Sequence, residues 1–137
     1  MENKNQPILT DEIILGHDKE IDENYITGRI SELKFLILPL GLRIEGLEKC
    51  FKNAGNDDNR REKCSKGLSN LKEYYKKIYI DMEEIKDEII DKVSGELKAS
   101  LNLFFKEFGV NDLSENKLSD AKKLLCKILN AIEKELK

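Results

Sequence analysis

Two apolar seams of matching period, separated by one short polar turn, constrain this chain more than any other feature. The first begins at Ile26 and continues through Ile30, Leu33, Ile37, Leu40, Ile44, Leu47 and Phe51, with gaps alternating four and three. The second begins at Cys64 and continues through Leu68, Leu71, Tyr75, Ile78, Met82, Ile85 and Ile89 with the same alternation. A four-three repeat is the spacing that keeps one stripe of a helix facing a partner helix over many turns. Between the seams lie Gly55, Asn56, Asp57, Asp58 and Asn59, which supply a helix stop, a turn and an N-cap. So short a connection forces the two helices to run antiparallel. Folding the chain at this turn places Phe51 against Cys64, Ile44 against Leu71, Ile37 against Ile78 and Ile26 against Ile89. The paired length is about 38 Å at 1.5 Å per residue.

The first helix is poor on propensity alone. Gly28, Gly41 and Gly46 each cost about 1 kcal/mol against alanine, and Pro39 about 3 kcal/mol. Pro39 also removes the hydrogen bond to the carbonyl of Phe35, which predicts a kink. Tertiary packing must therefore hold this helix. Phe35, Leu36, Leu38 and Leu42 add a second apolar stripe beside the seam, and a bundle interior needs more than one stripe. The favoured reading covers Phe35, Leu38 and Leu42 with the last helix. The sharper alternative makes them a partner or dimer surface.

Beyond Ile89 the apolar phase slips by one residue at Ser94-Gly95, then continues through Val93, Leu97, Leu101, Phe104 and Phe108. Two outcomes fit: one helix with a stutter reaching Phe108, or a break and reversal at Gly95. Gly109 is expected as a helix-ending C′ residue. Ser114 is expected to cap a final helix, with Glu115 favourable near its positive end. Leu118, Ala121, Leu125, Ile128 and Ile132 give that helix its face, widened by Leu124, Leu129 and Leu136. The fold class is accordingly all-α: an antiparallel hairpin of about 23–54 and 60–93 or 60–108, with a helix near 115–136 packed on it. Three or four helices form one domain over 23–137. Residues 1–22 read as a partly ordered docking segment, with a short helical turn from Thr10 to Leu15 before Gly16-His17-Asp18.

Composition narrows function mainly by exclusion. Charged residues make up 37% of the 137 residues and the net charge is −3, which argues against a dedicated nucleic-acid binder. The N-terminus lacks an uninterrupted apolar core of the signal-peptide kind. The longest apolar run, Phe35 to Leu42, falls far short of the roughly 20 residues of a spanning helix. His17 is the sole histidine and has no Cys or Asp at a catalytic spacing. Neither a nucleophile elbow nor a phosphate-binding glycine motif occurs. The carboxylates of 81–91 follow helical spacing and read as a solvated face. No enzyme, cofactor or metal site is expected.

Three cysteines, Cys50, Cys64 and Cys126, are an odd number without CxxC spacing. A cytoplasmic or otherwise intracellular, reducing setting is the default, although an exported chain trimmed of its leader would look the same. Cys50 and Cys64 approach each other across the hairpin. Buried free thiols are the expectation there, and a disulfide the less favoured alternative, because helix axes pack 8–10 Å apart and a disulfide needs Cα atoms within about 7 Å. Cys126 is expected to flank the core.

Two surfaces remain as binding candidates. The first joins Phe35, Leu38 and Leu42 to Tyr74 and Tyr79, the two tyrosines outside the seam. The second is a basic hairpin tip of Lys49, Lys52, Arg60, Arg61, Lys63 and Lys66, within a segment, 43–80, that carries ten basic and six acidic residues. The expected function is a non-enzymatic protein–protein interaction module: a subunit, adaptor or host-directed effector, with another protein or a further copy of itself as partner. The alternative is electrostatic binding of nucleic acid or anionic membrane through the tip.

Overall fold

A computed structural model describes the backbone of residues 11–137 and the side chains of residues 23–137. The described residues form an all-α bundle of four helices: α1 (Asp11–Ala54), α2 (Asp58–Ile89), α3 (Gly95–Glu107) and α4 (Leu118–Glu135). One 3-10 turn, Glu115–Lys117, leads into α4. The helices alternate in direction, and α1 packs on both α2 and α4 while α3 packs on α4.

The hairpin forms where the two seams meet. Ile30, Leu33, Ile37, Leu40 and Ile44 are buried, as are Leu71, Tyr75, Met82, Ile85 and Ile89 opposite them. At the turn, Gly55 adopts φ 52°, the only positive φ among the described residues. That left-handed conformation is nearly free for glycine and costly for other residues. Asp57 caps α2, its carboxylate accepting from the backbone N–H groups of Asn59 and Arg60 at 3.1 and 3.2 Å. Both features match the turn expected from GNDDN.

α1 departs from expectation at its start. It is one unbroken helix from Asp11 through Gly16-His17-Asp18 and on through Pro39, where a short turn followed by a loop was expected. A glycine costs a helix about 1 kcal/mol but ends it only when the chain turns left-handed there. Thr10 and the expected cap lie outside the described residues, and the docking of residues 11–22 and the role of His17 outside the described side chains.

The phase slip at Ser94-Gly95 is a break. α2 ends at Ile89, a turn closed by Lys92 N–H donating to the Ile89 carbonyl at 2.8 Å follows, and α3 reverses direction. Ser94 makes no local cap; its hydroxyl and N–H both donate to Glu135 on α4. α3 is short, so residues 108–114 cover the remaining length of α2 as a strap. Leu113 buries itself on the core from this strap. Gly109 is not the left-handed C′ residue expected: α3 stops at Phe108, which is already extended. The freed carbonyls of Phe108 and Gly109 instead accept from the hydroxyls of Tyr79 and Tyr75, each at 2.9 Å. Ser114 likewise makes no side-chain cap; its carbonyl closes the 3-10 turn.

A layer of aromatic rings separates α2 from α3. Tyr75, Tyr79, Phe104, Phe105 and Phe108 meet in tilted, edge-on and stacked pairs with centroids 5.1–6.2 Å apart. These spacings are those at which aromatic pairs attract beyond simple burial.

Candidate interaction surfaces

α1 carries two apolar stripes, and the bundle covers one of them. Ile37, Leu40 and Ile44 are wholly buried, whereas Phe35 is 70% exposed, Leu42 68% and Leu38 39%. The expectation that α4 would cover the second stripe is therefore overturned. α4 docks on the flank of α1 instead, pinned by Lys122 to Glu45 at 2.9 Å near one end and by Lys34 to Glu133 near the other. The seam residues of α1 are broad enough to serve α2 and α4 together, so the outer stripe has no helix left to meet.

The glycines of α1 add a second feature. A Cβ placed on Gly28, Gly41 or Gly46 would touch nothing within 4 Å beyond the helix itself. Packing among the described residues does not require glycine at these positions. Gly28 and Gly46 are exposed and lie along the same outer side as Phe35 and Leu42. The stripe from Gly28 to Gly46 thus combines bulky apolar groups with bare backbone, with Glu32, Arg43 and Lys49 exposed beside it.

The two tyrosines assigned to this surface separate. Tyr79 is buried, at 7% exposure, and hydrogen-bonded to the strap; it belongs to the aromatic layer and cannot meet a partner. The signal was legible: Tyr75 and Tyr79 are four residues apart, as are Phe104 and Phe108, and such pairs share a helix face. Tyr74 is half-buried beneath Arg43, whose guanidinium lies 4.1 Å from the ring centre. That cation–π contact occupies the ring face.

At the hairpin tip, Cys50 and Cys64 form a disulfide with Cα atoms 5.9 Å apart, which corrects the expectation of free thiols. Facing Cα atoms sit inside the axis spacing by about 2.3 Å for each helix. Axes 8–10 Å apart therefore leave such positions within disulfide reach. Cys126 is the free cysteine, and it is exposed rather than flanking the core.

The basic tip is partly spent on internal contacts. Arg61 pairs with Glu115 at 2.7 Å and donates to the Gly55 carbonyl, tying the tip to the start of α4. Arg60 pairs with Asp57 and Lys66 with Glu62. Among the described residues Lys49, Lys52 and Lys63 make no ion pair; Lys49 and Lys52 are three residues apart on α1, and Lys63 stands on α2.

The opposite end of the hairpin carries a network absent from the sequence-based expectation. Arg29 reaches Glu88 at 2.6 Å, Glu32 at 2.9 Å and Glu84 at 3.5 Å, and the Tyr25 hydroxyl donates to Glu88 at 2.9 Å. The Arg29 hydrogen bond, helped by Tyr25, holds the Glu88 carboxyl below its ordinary value. Lys122 does the same to Glu45, and Lys34 to Glu133. These shifts come from bridges between helices; they mark structural pairs and not reactive groups.

Among the described residues no group of three or more His, Cys, Asp or Glu stands where it could hold a metal ion. Nor is any described helix long and apolar enough to cross a membrane. No protein-family model, curated protein sequence or solved structure matches the chain.

Proposed function

We propose that the chain is a non-enzymatic binding module that engages another polypeptide through the outer stripe of α1. The observation that carries this reading is the exposure of Phe35 and Leu42 on a helix whose inner side is locked into a bundle. A rigid apolar surface loses little conformational entropy on docking, so its burial converts efficiently into affinity. The bare glycines beside it admit the partner's side chains close to the helix backbone.

The Cys50–Cys64 bridge supports a workplace outside the reducing cytosol, because such disulfides persist mainly in oxidising compartments. That setting suits a host-directed or otherwise exported interaction module better than a cytosolic subunit. Acid-trapping and alkylation of the protein from its native source checks this: only Cys126 should label before reduction, and labelling of all three cysteines would contradict it.

The binding role is tested by immobilising the wild-type chain and a Phe35→Glu/Leu42→Glu variant and comparing what each retains from native lysate. Both substituted positions are exposed, so the variant should fold. A polypeptide held by the wild type and lost by the variant is the expected result, whether it is a different protein or further copies of the chain. Identical retention by the two would defeat the proposal.

A further inference from the structure

We infer that the Cys50–Cys64 bridge is a reversible thiol-exchange site, opened in the folded chain by a dithiol reductant that attacks the sulfur of Cys50 and displaces Cys64. The inference rests on the bridge and its surroundings and is independent of the outer stripe of α1.

Three observations carry it. First, the two halves of the bridge differ in exposure. Cys64 is 1% exposed within the core, whereas Cys50 is half-buried. Exchange requires a thiolate to reach one of the two sulfurs, and Cys50 is the half that offers access.

Second, Cys50 lines a groove of about 240 Å³ between α1 and α2, with Arg43, Gly46, Gly67 and Asn70 around it. Both walls of the groove carry glycine. Gly46 lies one turn before Cys50 on the same helix face, and a Cβ there would meet nothing within 4 Å. Across the groove, a Cβ on Gly67 would come within 3.1 Å of the Leu47 side chain. Bare backbone on each side leaves the route to Cys50 open.

Third, the surroundings favour an anionic sulfur. Arg43 lines the groove, and Lys49 and Lys63 adjoin the two cysteines in sequence. Nearby cations favour thiolate over thiol, both in the attacking reductant and in Cys50 when it is released.

The step is a two-electron exchange. One thiolate of the reductant attacks Sγ of Cys50, the bond to Cys64 breaks, and Cys64 leaves as a thiolate that takes up a proton. The second thiol of the reductant, deprotonated, then attacks the reductant's own sulfur in the mixed disulfide and releases Cys50. The bridge gains two electrons and two protons, and the dithiol becomes a disulfide. In reverse, a disulfide oxidant loads Cys50 first and Cys64 closes the bridge. An accessible cysteine beside a resolving one is the arrangement of redox sensors. A bridge made in an oxidising compartment is therefore one that a reducing compartment opens with the bundle still folded.

The test follows reduction by dithiothreitol on a Cys126→Ser background, so that only the bridge contributes thiols, with quenched alkylation and mass spectrometry as readout. The rate should be proportional to dithiothreitol and unchanged by urea below the unfolding transition. It should fall at least about tenfold in Gly46→Leu, which places a side chain beside Cys50. It should not change in Gly28→Leu, at an exposed glycine about 27 Å along the same helix. A rate that climbs steeply with urea would mean that reduction waits for unfolding and would overturn the inference. So would a Gly46→Leu variant reduced as fast as the wild type. In the single variants Cys64→Ala and Cys50→Ala, iodoacetamide should modify the remaining Cys50 at least about tenfold faster than the remaining Cys64. Equal rates, or the opposite order, would contradict the assigned point of attack.

Discussion

The aromatic layer between α2 and α3 and the outer stripe of α1 are built from similar residues and end in opposite states. In the layer, Phe104 is fully buried and Tyr75 nearly so, and both tyrosine hydroxyls find carbonyl acceptors in the strap. On the stripe, Phe35 and Leu42 face outward above backbone that no side chain covers. Apolar area removed from water within the chain contributes to folding at about 25 cal/mol per Å². The same area left outside contributes nothing to folding and is available for association. The difference separates what holds the bundle from what the bundle presents.

Alanine substitution should break the comparison most sharply. Phe104→Ala removes a wholly buried ring and should cost about 3–5 kcal/mol, measured by urea unfolding at low protein concentration. Phe35→Ala should change the same quantity by no more than about 0.5 kcal/mol. Comparable losses at the two positions would mean that the stripe is part of the fold.

Next in size is Tyr75→Phe, which deletes the hydroxyl bonded to Gly109 and should cost about 1 kcal/mol near neutral pH. Burial pushes the Tyr75 phenol above its ordinary value of 10. Below that value both states hold the neutral phenol and its contribution is complete. Above it the unfolded chain releases its proton first, so stability falls as pH rises toward the folded value. Tyr75→Phe should flatten this alkaline decline in a pH series of unfolding midpoints.

Gly46→Ala should act in the reverse direction on folding. It replaces a glycine in open helical surroundings and should stabilise the single chain by about 0.5–1 kcal/mol, read from the same denaturation at low concentration. A destabilisation would show that the bare backbone serves the fold and not a partner.

The smallest effect is acidic. Glu45, Glu88 and Glu133 are held below their ordinary value by bridges to Lys122, Arg29 and Lys34. Their contribution is present above that ordinary value and is lost as pH falls through the folded values. Lys34→Met should slightly shallow the acid limb of the pH–stability profile, because exposed pairs contribute little.

Much of this arrangement was legible in the sequence. The two seams, the turn centred on Asp57 and the final helix near 115–136 follow from periodicity and cap chemistry, which are local properties. The break at Gly95 was one of two readings consistent with the phase slip, and the Ser94–Glu135 contact that accompanies it joins residues far apart in sequence. The disulfide is hidden from an argument on axis spacing alone, because facing Cα atoms lie inside the axes by the helix radius. The burial of Tyr79 depends on its acceptor, the Phe108 carbonyl, which is freed only when α3 stops short. The exposure of Phe35 and Leu42 is non-local in the same way. A broad apolar face on α4 shows that it must dock, but not which flank of α1 receives it. The ion pairs of Lys34 and Lys122 decide that, and they depend on helix register.

Thermal unfolding of the wild type and Leu42→Glu at the same low protein concentration tests the central claim most directly. The account predicts coincident midpoints, because Leu42 stands outside the packed core. A variant that melts clearly lower would contradict the division between the stripe that folds and the stripe that binds.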